Sequence, residues 1–145
     1  MGFQFSLEKL LRLRDSLEHQ EEQRLSLASH NVARILSELT RLDFDFGAAE
    51  NCWQTGVDDL TLTAALQFRA ECAVGYRRVR ATLLASLEEA KQERLLQLQR
   101  HQEARQKTEV LARLRARHQV AYEFAAARRQ QQLADETYLQ VRLPD

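Results

Sequence analysis

The chain has 145 residues, with 21 basic and 21 acidic side chains and a formal net charge of zero. Four glycines and one proline are too few breakers for a β-sandwich or an α/β fold, and the charge balance argues against a dedicated nucleic-acid binder. What remains is an all-α chain, rich in Ala, Leu, Glu, Arg and Gln, the composition of long helices and coiled coils.

The chain opens with Phe3 and Phe5 alternating as in an extended lead-in, and Ser6 stands where an N-cap is expected. Helix 1 is predicted over about 4–53, starting with Leu7, Leu10, Leu11, Leu13 and Leu17. From His19 to Arg24 the apolar stripe lapses. It resumes at Leu25, Ala28, Val32, Ile35, Leu39, Leu42 and Phe46, in alternating steps of three and four residues. That spacing keeps one stripe facing a neighbouring helix. Leu10, Leu13 and Leu17 fall in another phase, which predicts a stutter between the two runs.

Gly47 does not end helix 1, because Ala48, Ala49 and Glu50 favour continuation. The turn is predicted at about 54–62, around Gly56 and Asp58, with Thr61 or Thr63 capping the next helix. Helix 2 is predicted over about 63–140, a stretch with no proline and only Gly75. Leu66, Ala73, Tyr76, Leu83, Leu87 and Ala90 follow a heptad phase, with Arg69, Arg80 and Arg94 at seam sites where their stems can lie along the groove. From Gln99 to Glu109 the helix is almost wholly polar, and apolar residues return from Val110 onward.

These elements predict one domain, an antiparallel coiled-coil hairpin. Helix 1 of roughly 50 residues and helix 2 of roughly 78 cannot match, so the C-terminal helix overhangs by roughly 40 Å, beyond about Arg115. One seam closed within one chain predicts a monomer when free. Residues 4–53 carry 6 basic and 9 acidic side chains, and residues 63–145 carry 15 and 10, so the two segments attract each other.

No site chemistry emerges. His19, His30, His101 and His118 are scattered without metal-ligand spacing, and no nucleophile elbow, Walker loop or dinucleotide fingerprint is present. Glu18, Glu21 and Glu22 read as a solvated helix face. No enzyme, catalytic residue, metal or cofactor is expected. Cys52 and Cys72 read as reduced thiols of a cytosolic protein. No run approaches the roughly 18 apolar residues needed to span a bilayer, and no signal peptide is expected.

Two surfaces stand out instead. Arg113, Arg115, Arg117, His118, Arg128 and Arg129 form a basic stretch on helix 2. Its aromatics do not interleave as a base-stacking platform, so it reads either as a solvated face or as a contact for an anionic protein surface. Phe44 and Phe68 lie two residues from seam leucines, about 200° round the helix, and should point outward near Trp53 and the turn.

The opening Phe3-Gln-Phe5-Ser-Leu7-Glu-Lys-Leu10-Leu11-Arg-Leu13-Arg14, followed by a glutamine-rich acidic helix with Glu18, resembles the start of the flagellar export protein FliJ family. Lys107-x-Glu109, Leu111, Tyr122 and Leu133-Ala-Asp135-Glu136 are similar to its C-terminal part. The resemblance implies a stalk component of the bacterial flagellar type III export apparatus, an antiparallel coiled coil similar to the central stalk of rotary ATPases. It implies two partners, the FliI-like export ATPase ring and the cytoplasmic domain of the FlhA-like export gate, with a possible part in handling export chaperones. It also implies a place in the cytoplasm against the inner membrane, without insertion. By position, the gate-contacting flank matches Leu42, Phe46, Cys72, Tyr76, Val79 and Leu83, to which the outward Phe44 and Phe68 are added. The ATPase-contacting end is the open end, with Leu7, Leu10 and Leu13 and, on helix 2, Leu114, Arg117, Tyr122, Phe124 and Arg128. A virulence-type secretion stalk, a cytosolic adaptor or chaperone, and a purely structural coiled coil remain the other readings.

Overall fold

The structure, a computed structural model, describes residues 2–54 and 62–142. Among them are two helices and no strand: α1, Glu8–Gln54 (47 residues), and α2, Leu62–Arg142 (81 residues). The chain is an all-α antiparallel hairpin whose C-terminal helix is much the longer. The turn expected at Gly56 and Asp58, and Thr61 as a cap, lie outside the described residues. Thr63 is already the second residue of α2, so it does not cap it.

The start of α1 also differs from expectation. The Leu7 carbonyl accepts from the Leu11 amide at 2.9 Å, and the Phe5 carbonyl from the Glu8 amide at 3.1 Å. Leu7 therefore holds the cap position and Ser6 sits in the preceding turn. Glu8, in the first turn, adds a negative charge where the helix dipole favours one.

The inward positions of α1 run Leu11, Arg14, Glu18, Glu21, Leu25, Ala28, Val32 and onward to Trp53, in unbroken steps of three and four. The expected stutter is not found. Leu11 is 6% exposed, while Leu10, Leu13 and Leu17 face outward. The polar stretch does not shift the seam; it fills the seam with charged side chains.

Packing divides the described chain into two units, each taking a piece of both helices: residues 21–54 with 62–100, and residues 2–20 with 101–142. In the first, Val32, Ile35, Leu39, Leu87 and Ala90 form the buried cluster, with Leu83 packed against it. The pairs Glu50–Arg69, Phe46–Tyr76 and Asp43–Arg80 run in opposite numerical directions, as antiparallel helices require. Arg69 and Arg80 do occupy the seam edge, half-buried and ion-paired, whereas Arg94 is exposed beside an open groove with Leu25 and Leu95.

In the second unit, Phe3 meets Tyr122, Phe5 meets His118 and Glu8 meets Arg115, again antiparallel. Phe5 and Leu11 are buried there. The N-terminal segment thus reaches Tyr122, so the pairing extends past Arg115, where the overhang was expected to begin. The gain comes from Phe3 and Phe5, whose extended backbone covers α2 at about 3.3 Å per residue against 1.5 Å in a helix. From Glu123 to Arg142 α2 is exposed except at Ala125 and Ala126.

Candidate interaction surfaces

Two faces carry the residues singled out from the sequence. The first lies in the unit that holds residues 21–54 and 62–100. Leu42, Phe46, Tyr76 and Leu83 are half-buried and belong to the hairpin's own seam. Phe46 and Tyr76 stack face to face, with ring centroids 4.0 Å apart and planes 9° apart. The Tyr76 hydroxyl donates to Asp43 Oδ1 at 2.6 Å, and Arg80 Nε donates to the same oxygen at 3.2 Å. Tyr76's hydrogen bond is the main reason that the Asp43 carboxyl is held below its usual value; Arg80 adds to it, and desolvation opposes it. The same bond raises Tyr76 above the ordinary phenol value. Glu50 receives Arg69 through both carboxylate oxygens, which raises the guanidinium further.

Beside this seam, Phe44 is 74% exposed and Phe68 and Val79 are also exposed. Phe68 meets Trp53 edge-on, ring centroids 6.0 Å apart. Trp53, Leu62, Ala65, Leu66, Phe68 and Arg69 line a pocket of about 240 Å³. Cys72 is half-buried and Cys52 exposed, with no disulfide between them. So Phe44, Phe68 and Val79 present apolar surface outward, while four of the residues matched to a gate contact are spent on the hairpin itself.

The second face lies in the unit that holds residues 2–20 and 101–142. Leu7, Leu10 and Leu13 are exposed on the N-terminal segment, and Leu114 is half-buried beneath it. Phe3 partly covers Tyr122. The extended lead and Arg115 frame a groove of about 630 Å³ lined by Phe3, Phe5, Glu8 and Arg12. Beyond it, Arg117, Val120, Ala121 and Phe124 line an open apolar depression of about 500 Å³. Arg128 lies over the Phe124 ring, 6.0 Å from its centroid, a cation–π arrangement on an exposed helix. Arg113 bridges to Glu109, and Arg115 to Glu8. Two of the arginines of the basic stretch are therefore engaged by carboxylates of the chain itself.

Leu133, Tyr138, Leu139 and Val141 extend the apolar exposure toward the end of α2. Of these, sequence reasoning names only Leu133, as part of the family resemblance; it passes over Tyr138, Leu139 and Val141 because polar residues, Gln130 to Gln132 and Gln140 among them, surround them. Among the described residues no cluster of three or more His, Cys, Asp or Glu side chains could hold a metal ion. No helix there is long and apolar enough to cross a membrane. No protein-family model, curated protein or solved structure matches the chain.

Proposed function

We propose that the chain is a stalk component of the bacterial flagellar type III export apparatus. In this reading its open end, with both terminal segments, enters the export ATPase ring, and its turn-proximal flank meets the export gate at the cytoplasmic face of the inner membrane. The observation that carries the reading is the packing of the opening motif. Phe3, Phe5 and Glu8 are clamped on Tyr122, His118 and Arg115 of α2, and Leu7, Leu10 and Leu13 stay exposed in the same unit as the exposed Arg117 and Phe124. A ring lumen with apolar and acidic side chains would cover both halves of that surface, and burial of exposed apolar side chains would supply affinity. Phe44, Phe68 and Val79 then remain for the gate.

Stimulation of the export ATPase by purified chain tests the polarity. Leu13→Asp combined with Arg117→Glu alters only exposed side chains, so helicity should persist while stimulation falls at least tenfold. Phe44→Ala with Phe68→Ala should leave stimulation intact and weaken capture of the gate's cytoplasmic domain. Full stimulation by the Leu13/Arg117 variant would refute the assignment of the open end to the ring.

A further inference from the structure

Positions 111, 115, 118 and 122 of α2 form the seam that the N-terminal segment covers; Arg115, His118 and Tyr122 make its side-chain contacts. Two residues further round, about 200° away on the helix, runs a second row: Phe124, Ala127, Gln131, Ala134, Tyr138 and Val141. The steps are 3, 4, 3, 4 and 3, and Val120 continues the row backward by 4. This is a heptad seam with five of its six members apolar, and all six are exposed. Phe124 is 65%, Tyr138 60% and Val141 81% exposed. A helix with a complete uncovered seam is built to pair with another helix.

We propose that the occupant of this seam is a second copy of the same chain, paired antiparallel over residues 124–141. The residue sizes specify the partner. With Gln131 of one copy opposite Ala134 of the other, Tyr138 falls opposite Ala127 and Phe124 opposite Val141. Every layer then sets a large side chain against a smaller one, as interdigitating cores require. A parallel pair would stack Ala127 on Ala127 and Phe124 on Phe124, alternating voids with crowding.

Charge agrees with the antiparallel register. Arg128 and Asp135 flank the row on the same side, and that side faces its counterpart in an antiparallel pair. Arg128 of each copy then meets Asp135 of the other, twice by symmetry. On the opposite flank Gln130 faces Thr137, and no like charges meet. The N-terminal segment lies on the other side of α2, so it does not obstruct the second copy.

Three heptads with alanine in four of the six layers make a short seam, so the pair is reversible and the chain is monomeric when dilute. The inference goes beyond the export reading and needs no export component to test. Sedimentation equilibrium on the full chain across a concentration series should show the mass rising from one chain toward two. Phe124→Asp should hold it at one. Arg128→Asp and Asp135→Arg should each weaken pairing by about tenfold or more, and the double charge reversal should restore it. A one-chain mass up to millimolar concentration would overturn the proposal and leave the seam to a different helix. Dimers that tolerate Phe124→Asp would overturn it, and so would charge reversals that do not rescue one another.

Discussion

Truncating Ile35 measures how much of the hairpin rests on its buried cluster. Ile35 is 4% exposed and sits among Val32, Leu39 and Leu87. Ile35→Ala removes three carbons from that cluster. At about 0.8 kcal/mol per buried methylene, the transfer loss alone is about 2.4 kcal/mol. A residual cavity adds to it. In a two-helix seam the flanks are open and side chains can lean inward, so the cavity contribution stays at the low end. The expected cost is about 2.5–3.5 kcal/mol. Phe44→Ala is the control. It removes more atoms, but Phe44 is 74% exposed, so the change should stay within about 0.5 kcal/mol. Urea unfolding followed by far-UV circular dichroism reads both, as midpoint shifts at unchanged slope. An Ile35→Ala cost below about 1 kcal/mol would mean that the seam is not what holds α1 to α2. A Phe44→Ala cost above about 1 kcal/mol would mean that Phe44 is covered in solution, which removes it as a contact residue.

Three further outcomes follow from the same geometry. Gly47 and Gly75 lie inside helices, without positive φ, and an added Cβ would meet nothing within 4 Å; each change to Ala should stabilise by about 0.5–1 kcal/mol in thermal or urea unfolding. Gln97 is buried, and its Oε1 has no hydrogen-bond donor among the described residues while its Nε2 donates to Glu93; Gln97→Leu should raise stability by about 1–3 kcal/mol, and a loss would mean that Oε1 is satisfied in solution. Asp43 is depressed, so its contribution to stability is complete above the ordinary 3.8 and disappears as pH falls through its folded value. Tyr76 is raised, so its contribution holds below the ordinary 10.0 and disappears as pH rises through its folded value. The stability difference between the parent chain and Asp43→Asn should therefore close on acidification below 3.8, as read by unfolding at stepped pH; a difference that persists at low pH would mean that the carboxylate's charge is not what matters.

Much of this fold could be read in the residues. Breaker scarcity gave two helices, and the Leu25–Phe46 run gave the face that α1 buries. The outward direction of Phe44 followed from its helical angle to the half-buried Leu42; Phe68 is exposed too, but Leu66, the seam leucine it was measured from, is itself 53% exposed. The misread phase of α1 has one cause: the assumption that apolar means inward. Leu10, Leu13 and Leu17 are apolar and outward, while Arg14, Glu18 and Glu21 hold inward positions. Hydrophobicity alone put a stutter where the helix keeps its phase. The extent of the N-terminal pairing was hidden for a different reason. Phe3 and Phe5 precede α1, and a helix-to-helix length comparison has no term for an extended segment that lies along its partner.

The distribution of covered and uncovered apolar side chains bears on where the chain meets others. In the unit holding the turn-proximal ends, the seam leucines, Phe46 and Tyr76 are spent on each other, and the outward remainder is the group around Trp53 together with exposed leucines scattered along both helices, such as Leu27, Leu36, Leu84 and Leu95. In the unit holding the terminal segments, apolar residues come in two sets. Phe5, Leu11 and Leu111 close the intramolecular seam, while Leu10, Leu13 and Leu17, and then Phe124, Tyr138 and Val141, repeat at helical spacing without cover. Regular repetition separates these residues from the scattered exposed leucines that any helical protein carries. A regular row gains from a partner helix layer by layer, so its affinity scales with length rather than resting on one anchor. It follows that single truncations to alanine of the row's apolar residues beyond Tyr122 should each weaken association by modest and comparable factors, unlike a charge placed in the row, as in Phe124→Asp, whereas substitutions at the Trp53 pocket should act through one or two residues and leave the rest indifferent.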